Sequence, residues 1–61
     1  MPVIIVESNE IDVDKKREYV KKLTEITAET YNLQESTVTV LIREIKPDNI
    51  GVGGKLLSDL K

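Results

Sequence analysis

The chain has 61 residues, and its 9 basic and 11 acidic side chains give a formal net charge of −2 at pH 7. This balance provides no basic field that would attract nucleic acid or an anionic membrane surface, so neither is a predicted partner. The chain contains no cysteine and no histidine, which excludes disulfides and argues against a zinc site, and we predict no cofactor and no metal.

The first predicted element is a short strand over residues 3–6, which read Val-Ile-Ile-Val. This unbroken β-branched run lacks polar alternation, a pattern that favours a strand covered on both faces, as in a parallel sheet or at an oligomer interface. Pro2 stands directly before the strand and behind Met1. Removal of Met1 would turn Pro2 into an N-terminal secondary amine fixed to a strand, which is a potentially reactive group.

An amphipathic helix is predicted over residues 13–31, after a polar connection over residues 7–12. Asp12 is a good N-cap because its carboxylate can accept a hydrogen bond from an amide of the first turn. Asn32 can adopt the left-handed conformation that closes a helix. The apolar face carries residues that recur mostly at helical spacing, namely Val13, Val20, Leu23, Ile26, Thr27 and Tyr31.

Most charged residues of this helix are predicted to face water. They include a basic cluster of five residues, Lys15, Lys16, Arg17, Lys21 and Lys22. One interpretation of this cluster is a phosphate or nucleic-acid site. For a chain of net negative charge we favour a solvated face with ion pairs one turn apart, such as Glu18–Lys22 and Lys21–Glu25.

A second strand is predicted over residues 37–45, after a short return over residues 33–36. Its even positions are apolar and are expected to meet the helix: Val38, Val40 and Ile42. Its odd positions are mixed, as in a subunit interface or the wall of a site: Thr37, Thr39, Leu41 and Arg43. A strand, a helix of this length and a second strand predict a right-handed β-α-β crossover with a parallel strand pair.

The last segment is rich in glycine. Residues 46–49 predict a turn, and Gly51, Gly53 and Gly54 follow within four positions. As a phosphate loop, these glycines lack the spacing of a P-loop or a dinucleotide fingerprint and do not follow the first strand. We favour permissive backbone for a tight reversal that docks on a neighbour, with residues 56–60 as a short hairpin or a single helical turn.

The length of the chain also bears on its assembly. A chain this short buries only about 60% of its unfolded surface when it folds alone, so we expect a single domain over residues 1–61 that forms a homo-oligomer. No run of the sequence approaches a membrane span, and its apolar start lacks the basic flank of a signal peptide. We therefore expect a cytoplasmic protein with no membrane partner.

These features together resemble one family. The proline directly after Met1, the apolar first strand, the β-α-β unit and the segment Ile50-Gly51-Val52-Gly53-Gly54 are similar to the short 4-oxalocrotonate tautomerase-like members of the tautomerase superfamily. The resemblance covers essentially the whole chain. It implies an α+β subunit with a parallel strand pair, one long amphipathic helix and a C-terminal Gly-rich hairpin. It also implies sheet-joined dimers that assemble as a trimer of dimers into a homohexamer.

The resemblance further implies an isomerase. Pro2, after removal of Met1, would be the general base or acid that moves a proton between carbon and oxygen of a small carboxylate, a 2-hydroxydienoate, and its unsaturated 2-oxo isomer. A free α-amine has a pKa of about 8, and an apolar pocket with nearby cations lowers that pKa toward neutrality. Because the chain has no histidine, the usual base at neutral pH is absent.

Three positions depart from the family pattern. Residues 7–14 contain no cation where members of the family carry an arginine, Thr39 stands at the position of a second arginine, and Ile50 replaces a pocket-closing aromatic residue. The bidentate clamps for a dicarboxylate substrate are therefore missing. Thr39, Arg43 and Ile50 are the candidate substrate-binding residues.

Two cations are candidates to replace the missing arginines. Arg43 shares a strand face with Thr39, but four residues along a strand span ~13 Å, so Arg43 would serve only if another subunit brought it in. Lys55, beside the glycines, is the second candidate. For both side chains a solvated or interface-paired role is the favoured interpretation.

Two other functions stay open beside the tautomerase. A protein with this fold can use Pro2 for hydration, dehalogenation or decarboxylation of a small acid. Alternatively, the chain is a non-catalytic oligomeric domain, an interpretation motivated by the missing arginines.

Overall fold

The structure is a computed structural model and describes residues 1–60. It confirms an α+β fold with a parallel strand pair, one long helix and a C-terminal antiparallel hairpin. The main elements are β1 (Val3–Ser8), α1 (Val13–Tyr31), β2 (Thr39–Glu44), β3 (Gly51–Val52) and β4 (Lys55–Leu56). Single 3-10 turns cover Glu35–Thr37, Pro47–Asn49 and Leu57–Asp59.

Strands β1 and β2 pair in parallel along their full lengths. β1 is two residues longer than predicted because the polar Glu7 and Ser8, which resemble loop residues, still find partners. Glu7 lies opposite Arg43, and the Ser8 carbonyl accepts a hydrogen bond from the Ile45 amide at 2.8 Å. β2 begins two residues later than predicted because Thr37 closes a 3-10 turn.

The two faces of this sheet differ in burial. On one face alternate residues of both strands are half-buried, and Ile4 and Ile42 share cavities with side chains of α1. On the other face Val3, Ile5 and Leu41 are 44%, 53% and 45% exposed. The prediction that β1 is covered on both faces is therefore not met within the subunit, because one helix covers only one side of a two-stranded sheet.

Helix α1 has the predicted bounds. The Asp12 carboxylate accepts a hydrogen bond from the Lys15 amide at 3.0 Å, which caps the first turn. Asn32 is left-handed, with φ of 55°, and the Leu33 amide donates to the Ala28 carbonyl at 2.9 Å. This cap ends the helix at Tyr31 and turns the chain toward β2.

The surface of α1 departs from the predicted pattern at several positions. Three residues predicted on the apolar face are exposed in the subunit, namely Val13, Ile26 and Tyr31. Two strands spaced by about 5 Å are too narrow to cover the whole apolar stripe of a helix. Lys16 was predicted to face water, but its Nζ lies 2.6 Å from the Glu44 carboxylate at the end of β2.

The predicted ion pairs on the solvated face are confirmed in part. Glu18 and Lys22 lie 3.8 Å apart, as expected for residues one turn apart. The predicted Lys21–Glu25 pair is not formed in the described part of the chain. Arg17 instead pairs with Asp14, one turn before it, at 2.7 Å.

Residues 46–60 form a C-terminal arm. Its hairpin pairs Gly51 with Leu56, and Gly53 and Gly54 make the reversal with φ of 60° and 84°, values that favour glycine. The predicted permissive backbone is thus confirmed at these two glycines. Within residues 1–60, no hydrogen bond or ion pair joins the arm to the rest of the chain.

The isolated subunit has little interior. Ala28, at 6% exposure, is the buried core residue of the described chain. The accessible surface is 5019 Å², whereas a compact monomer of this mass exposes about 4,000 Å². The radius of gyration is 15.1 Å, against roughly 10.5 Å for a compact domain of the same length.

Candidate active site

A cavity of about 600 Å³ opens at the N-terminal end of β1. It is lined by Met1, Pro2, Val3, Ile4, Thr27, Tyr31 and Leu33. The topology explains why these residues meet. In a β-α-β unit the helix returns the chain from the end of the first strand to the start of the second, so its last turns lie beside the start of β1.

Pro2 is half-buried in this cavity, and its backbone is held by β2. The Pro2 carbonyl accepts a hydrogen bond from the Thr39 amide at 3.0 Å. The Pro2 nitrogen is bonded to Met1, which is 87% exposed. In this form the nitrogen is a tertiary amide without a basic lone pair. Removal of Met1 would leave a secondary amine on a ring that the strand already positions.

The described lining of the cavity contains no acidic or basic side chain. Val3, Ile4 and Leu33 supply apolar surface, and Thr27 and Tyr31 supply one hydroxyl each. An amine in such surroundings loses hydration of its charged form, and its neutral form is favoured.

Two predicted site residues on β2 lie outside this cavity. Thr39 is paired opposite Val3 and belongs to the exposed face of the sheet, so its amide, and not its side chain, contacts Pro2. Arg43 lies at the other end of β2, where its Nη1 is 3.3 Å from the Glu7 carboxylate. Within one subunit the structure does not bring Arg43 to Pro2.

The remaining candidates lie in the C-terminal arm. The Ile50 carbonyl accepts a hydrogen bond from the Leu57 amide at 2.8 Å, which closes the base of the hairpin. Lys55 is exposed on β4 opposite Val52. Neither Ile50 nor Lys55 lines the Pro2 cavity in the subunit.

A charged cluster occupies the opposite end of the sheet. The Glu44 carboxylate accepts hydrogen bonds from Lys16 Nζ at 2.6 Å and from the Ile11 amide at 3.0 Å. The Lys16 hydrogen bond, followed by that of the Ile11 amide, holds the pKa of Glu44 below its ordinary value. The cluster joins the β1–α1 loop, the helix and β2, and it lies far along the sheet from Pro2.

Two further properties of residues 1–60 bear on function. No helix among them has the length and apolar character needed to cross a membrane. No group of three or more acidic, histidine or cysteine side chains in that range is placed to hold a metal ion.

Comparison with known proteins identifies the family. The statistical model of the family described as "Tautomerase enzyme" matches residues 2–60, from Pro2 through the C-terminal arm. The chain belongs to the tautomerase family. This tautomerase is 39% identical over 62 residues to the 2-hydroxymuconate tautomerase of Bacillus subtilis (strain 168), and the match covers 100% of both chains. Membership of the family supports an isomerase.

Solved tautomerase-like structures share the fold. The crystal structure of DmpI from Archaeoglobus fulgidus is 50% identical in sequence, with a TM-score of 0.82 over 95% of this chain and 100% of that one. The structure of YwhB, a homologue of 4-oxalocrotonate tautomerase, is 36% identical, with a TM-score of 0.85 over 98% of this chain and 100% of that one. These matches confirm the predicted family and fold.

Sequence reasoning missed the helical wall of the Pro2 cavity. Thr27 and Tyr31 were assigned to the apolar face of α1, and Leu33 to a short return, without any link to Pro2. The signal that could have found them is topological. A crossover helix of known bounds must place its last turn, and the residue after its cap, next to the start of β1.

Proposed function

We propose that this chain is a tautomerase of small 2-hydroxydienoates or 2-oxo acids and that Pro2, once Met1 is removed, is its general base and acid. The observation that carries the proposal is the position of Pro2 in a cavity whose described lining holds no other acidic or basic side chain. The similarity to a relative named for 2-hydroxymuconate supports the choice of a 2-hydroxydienoate.

The proposed reaction moves one proton in two steps. The neutral Pro2 amine takes the proton of the substrate 2-hydroxyl, so that the O–H bond breaks, an N–H bond forms and a dienolate results. The protonated Pro2 then gives a proton to a carbon of the dienolate, which breaks the N–H bond and forms a C–H bond. The product is the 2-oxo isomer and Pro2 is neutral again, so no oxidant or cofactor is required.

The cavity supports this role through its polarity. Apolar side chains around an amine disfavour its protonated form, so more of the mature Pro2 nitrogen is available as a base at neutral pH. The hydrogen bond from the Thr39 amide to the Pro2 carbonyl fixes the residue that carries the lone pair. General base catalysis by a positioned group contributes roughly 10²- to 10⁴-fold in rate.

We further propose a substrate with a single carboxylate. A second carboxylate at the far end of the substrate would need a positive partner, and the described cavity lining supplies none. Arg43 is engaged with Glu7 on the exposed face of the sheet. An apolar tail fits the surface of Val3, Ile4 and Leu33 better than a second charge does.

We propose that the active form is a homohexamer built as a trimer of dimers. The proposal is supported by the small core of the subunit and by the apolar surface that it leaves exposed. The surface exceeds that of a compact monomer by about 1,000 Å². The exposed side of the sheet carries Val3, Ile5 and Leu41, and the arm exposes Val52 and Leu56. Sedimentation at micromolar concentration tests the assembly, and a monomer of 6.9 kDa would contradict it.

The test of function compares the mature chain with Pro2→Ala on a panel of 2-hydroxydienoates. Intact-mass spectrometry first establishes that Met1 is absent from the parent protein. The variant retains a primary amine but loses the proline ring, and we expect kcat/KM to fall roughly 10²-fold or more. Unchanged turnover in Pro2→Ala would refute the proposal.

A second variant separates the amine from the ring. An additional lysine inserted between Met1 and Pro2 keeps the Pro2 nitrogen acylated, and we expect this chain to be inactive although it contains every residue of the cavity. Circular dichroism and sedimentation control for folding and assembly. A soluble, assembled but acylated chain that turns over substrate would show that the base lies elsewhere.

A further inference from the structure

Two residues that line the Pro2 cavity carry hydroxyl groups that make no hydrogen bond within residues 1–60. They are Thr27 and Tyr31, which lie in the last two turns of α1. Thr30, between them in sequence, donates its hydroxyl to the Ile26 carbonyl at 2.7 Å. The hydroxyls of these two lining residues are thus unused by the fold, whereas the hydroxyl of the neighbouring Thr30 is used.

Tyr31 is the more accessible of the two cavity residues. It is 64% exposed, whereas Thr27, one turn earlier on the same helix face, is half-buried. Tyr31 is the last residue of α1, and the left-handed Asn32 fixes the turn that follows it. The backbone on both sides of Tyr31 is therefore fixed beside the cavity. The phenol O–H of Tyr31 has no partner within residues 1–60 and can donate a hydrogen bond to a ligand.

Within one subunit the described lining of the cavity holds no charged side chain, so a hydroxyl is the donor that this lining offers to an anionic group. A phenol that is protonated at neutral pH can donate one strong hydrogen bond to an anionic oxygen, and such a bond is shorter and stronger than one between neutral groups. A neutral donor can bind a carboxylate without placing the charged nitrogen of a lysine or arginine beside Pro2. It therefore fills one role of a cation, the recognition of an anionic oxygen, without adding a charge to the cavity.

We infer that Tyr31 is a substrate-binding residue whose hydroxyl donates a hydrogen bond to the carboxylate of the acid held at Pro2. The identity of that acid rests on the proposed function. The carboxylate is ionised both in the bound substrate and in the transition state. Loss of this hydrogen bond therefore weakens the binding of the substrate and the binding of the transition state equally. The expected signature is a raised KM with little change in kcat.

The kinetic test compares Tyr31→Phe with Tyr19→Phe in the mature chain. Tyr19 is a matched control because it lines a different cavity, beside Ser8 and Ile11. Removal of a hydrogen bond to a charged group corresponds to roughly a ten- to hundred-fold effect. We expect KM to rise by that factor in Tyr31→Phe and to change less than two-fold in Tyr19→Phe. A Tyr31→Phe variant with unchanged KM would overturn the inference, as would a fall confined to kcat.

A binding measurement decides the inference without turnover. The chain has two tyrosines, so their ring signals can be resolved by NMR and assigned with the two phenylalanine variants. In a titration with 2-oxopentanoate we expect the Tyr31 ring signals to shift and those of Tyr19 to stay in place. Absent shifts at Tyr31, or equal shifts at both rings, would contradict the proposed contact.

The two proposals fail in different ways. If Pro2→Ala is inactive while Tyr31→Phe has parental KM and its parent shows no ring shift, the tautomerase function stands and the role of Tyr31 is rejected. If Pro2→Ala is fully active, the function is rejected, and the 2-oxopentanoate titration still accepts or rejects Tyr31 as a carboxylate-binding residue.

Discussion

At one end of the parallel sheet polar side chains are paired with one another, and at the other end the hydroxyls of Thr27 and Tyr31 have no hydrogen-bond partner within residues 1–60. Glu44 holds Lys16 and the Ile11 amide, and beside them Arg43 is paired with Glu7. The Pro2 cavity at the opposite end has no charged side chain in its described lining. The comparison indicates that charged side chains hold the fold together at one end of the sheet, and that the other end carries the uncharged cavity that we propose as the site of proton transfer.

The largest expected effect follows from placing a cation in the uncharged Pro2 cavity. Leu33 lines the cavity from the loop after α1 and is 45% exposed, so an arginine is sterically acceptable there. We expect Leu33→Arg to raise kcat/KM for a dicarboxylate about ten-fold relative to the matching monocarboxylate, because a guanidinium can bind a second carboxylate bidentately. Steady-state kinetics on a pair of 2-hydroxydienoates that differ in one carboxylate measure this ratio.

The control is Leu33→Gln, which changes size and polarity without adding charge. A similar shift of preference in Leu33→Gln would show that polarity, and not charge, sets the specificity. An unchanged ratio in Leu33→Arg would mean that carboxylate selection occurs at another place in the assembly.

The cluster at the charged end of the sheet can be disrupted by a substitution of Glu44, which accepts hydrogen bonds from Lys16 and the Ile11 amide. The pKa of Glu44 is below the ordinary value of 4.5, so the folded state is stabilised above that pH, and this contribution is lost as pH falls through the lowered pKa. We expect Glu44→Gln to lower the free energy of unfolding at neutral pH. We also expect it to flatten the acid limb of the stability curve, as measured by urea denaturation from pH 3 to 7.

Glu7→Gln is the matched comparison for Glu44→Gln. The Glu7 and Arg43 side chains are 59% and 62% exposed, and such surface pairs contribute about 0–1 kcal/mol. A loss in Glu7→Gln as large as that in Glu44→Gln would contradict the distinction between the two pairs. Neither variant is expected to change the kcat of the Pro2 site.

The smallest expected effect concerns the turn that shapes the neutral end. Asn32 has φ of 55°, a conformation that is unfavourable for most residues with a Cβ atom. We expect Asn32→Ala to destabilise the fold by about 1 kcal/mol, independently of salt, and Asn32→Gly to stay within a few tenths of a kcal/mol. Thermal unfolding at two ionic strengths measures both, and a salt-dependent loss would contradict a purely conformational cause.

Much of the fold could be predicted because local signals agreed. Asp12 and Asn32 mark the two ends of α1, and the structure places both caps as predicted. The glycines at 53 and 54 have the positive φ that the tight reversal requires. The predicted end of β1 was less accurate because Glu7 and Ser8 are polar. Their place in the strand depends on pairing with β2, which the local sequence does not reveal.

Less of the candidate site could be predicted. Pro2 was found because its position and the absence of histidine limit the possible bases, but its role stays a prediction. Tyr31 looked like an apolar helix residue, because sequence periodicity reports the face of a helix and not which end of a sheet that face meets. Thr39, Arg43 and Ile50 also stay predictions, since none of them lines the Pro2 cavity within the one chain that the structure describes.

Titration of the Pro2 nitrogen in the mature chain, followed by NMR of protein labelled with ¹⁵N-proline, tests whether Pro2 can serve as a base. The neutral, apolar cavity predicts a pKa below that of a free α-amine, so that a substantial fraction of Pro2 is unprotonated at neutral pH. A pKa equal to or above that of a free α-amine would contradict a neutral base at this end of the sheet.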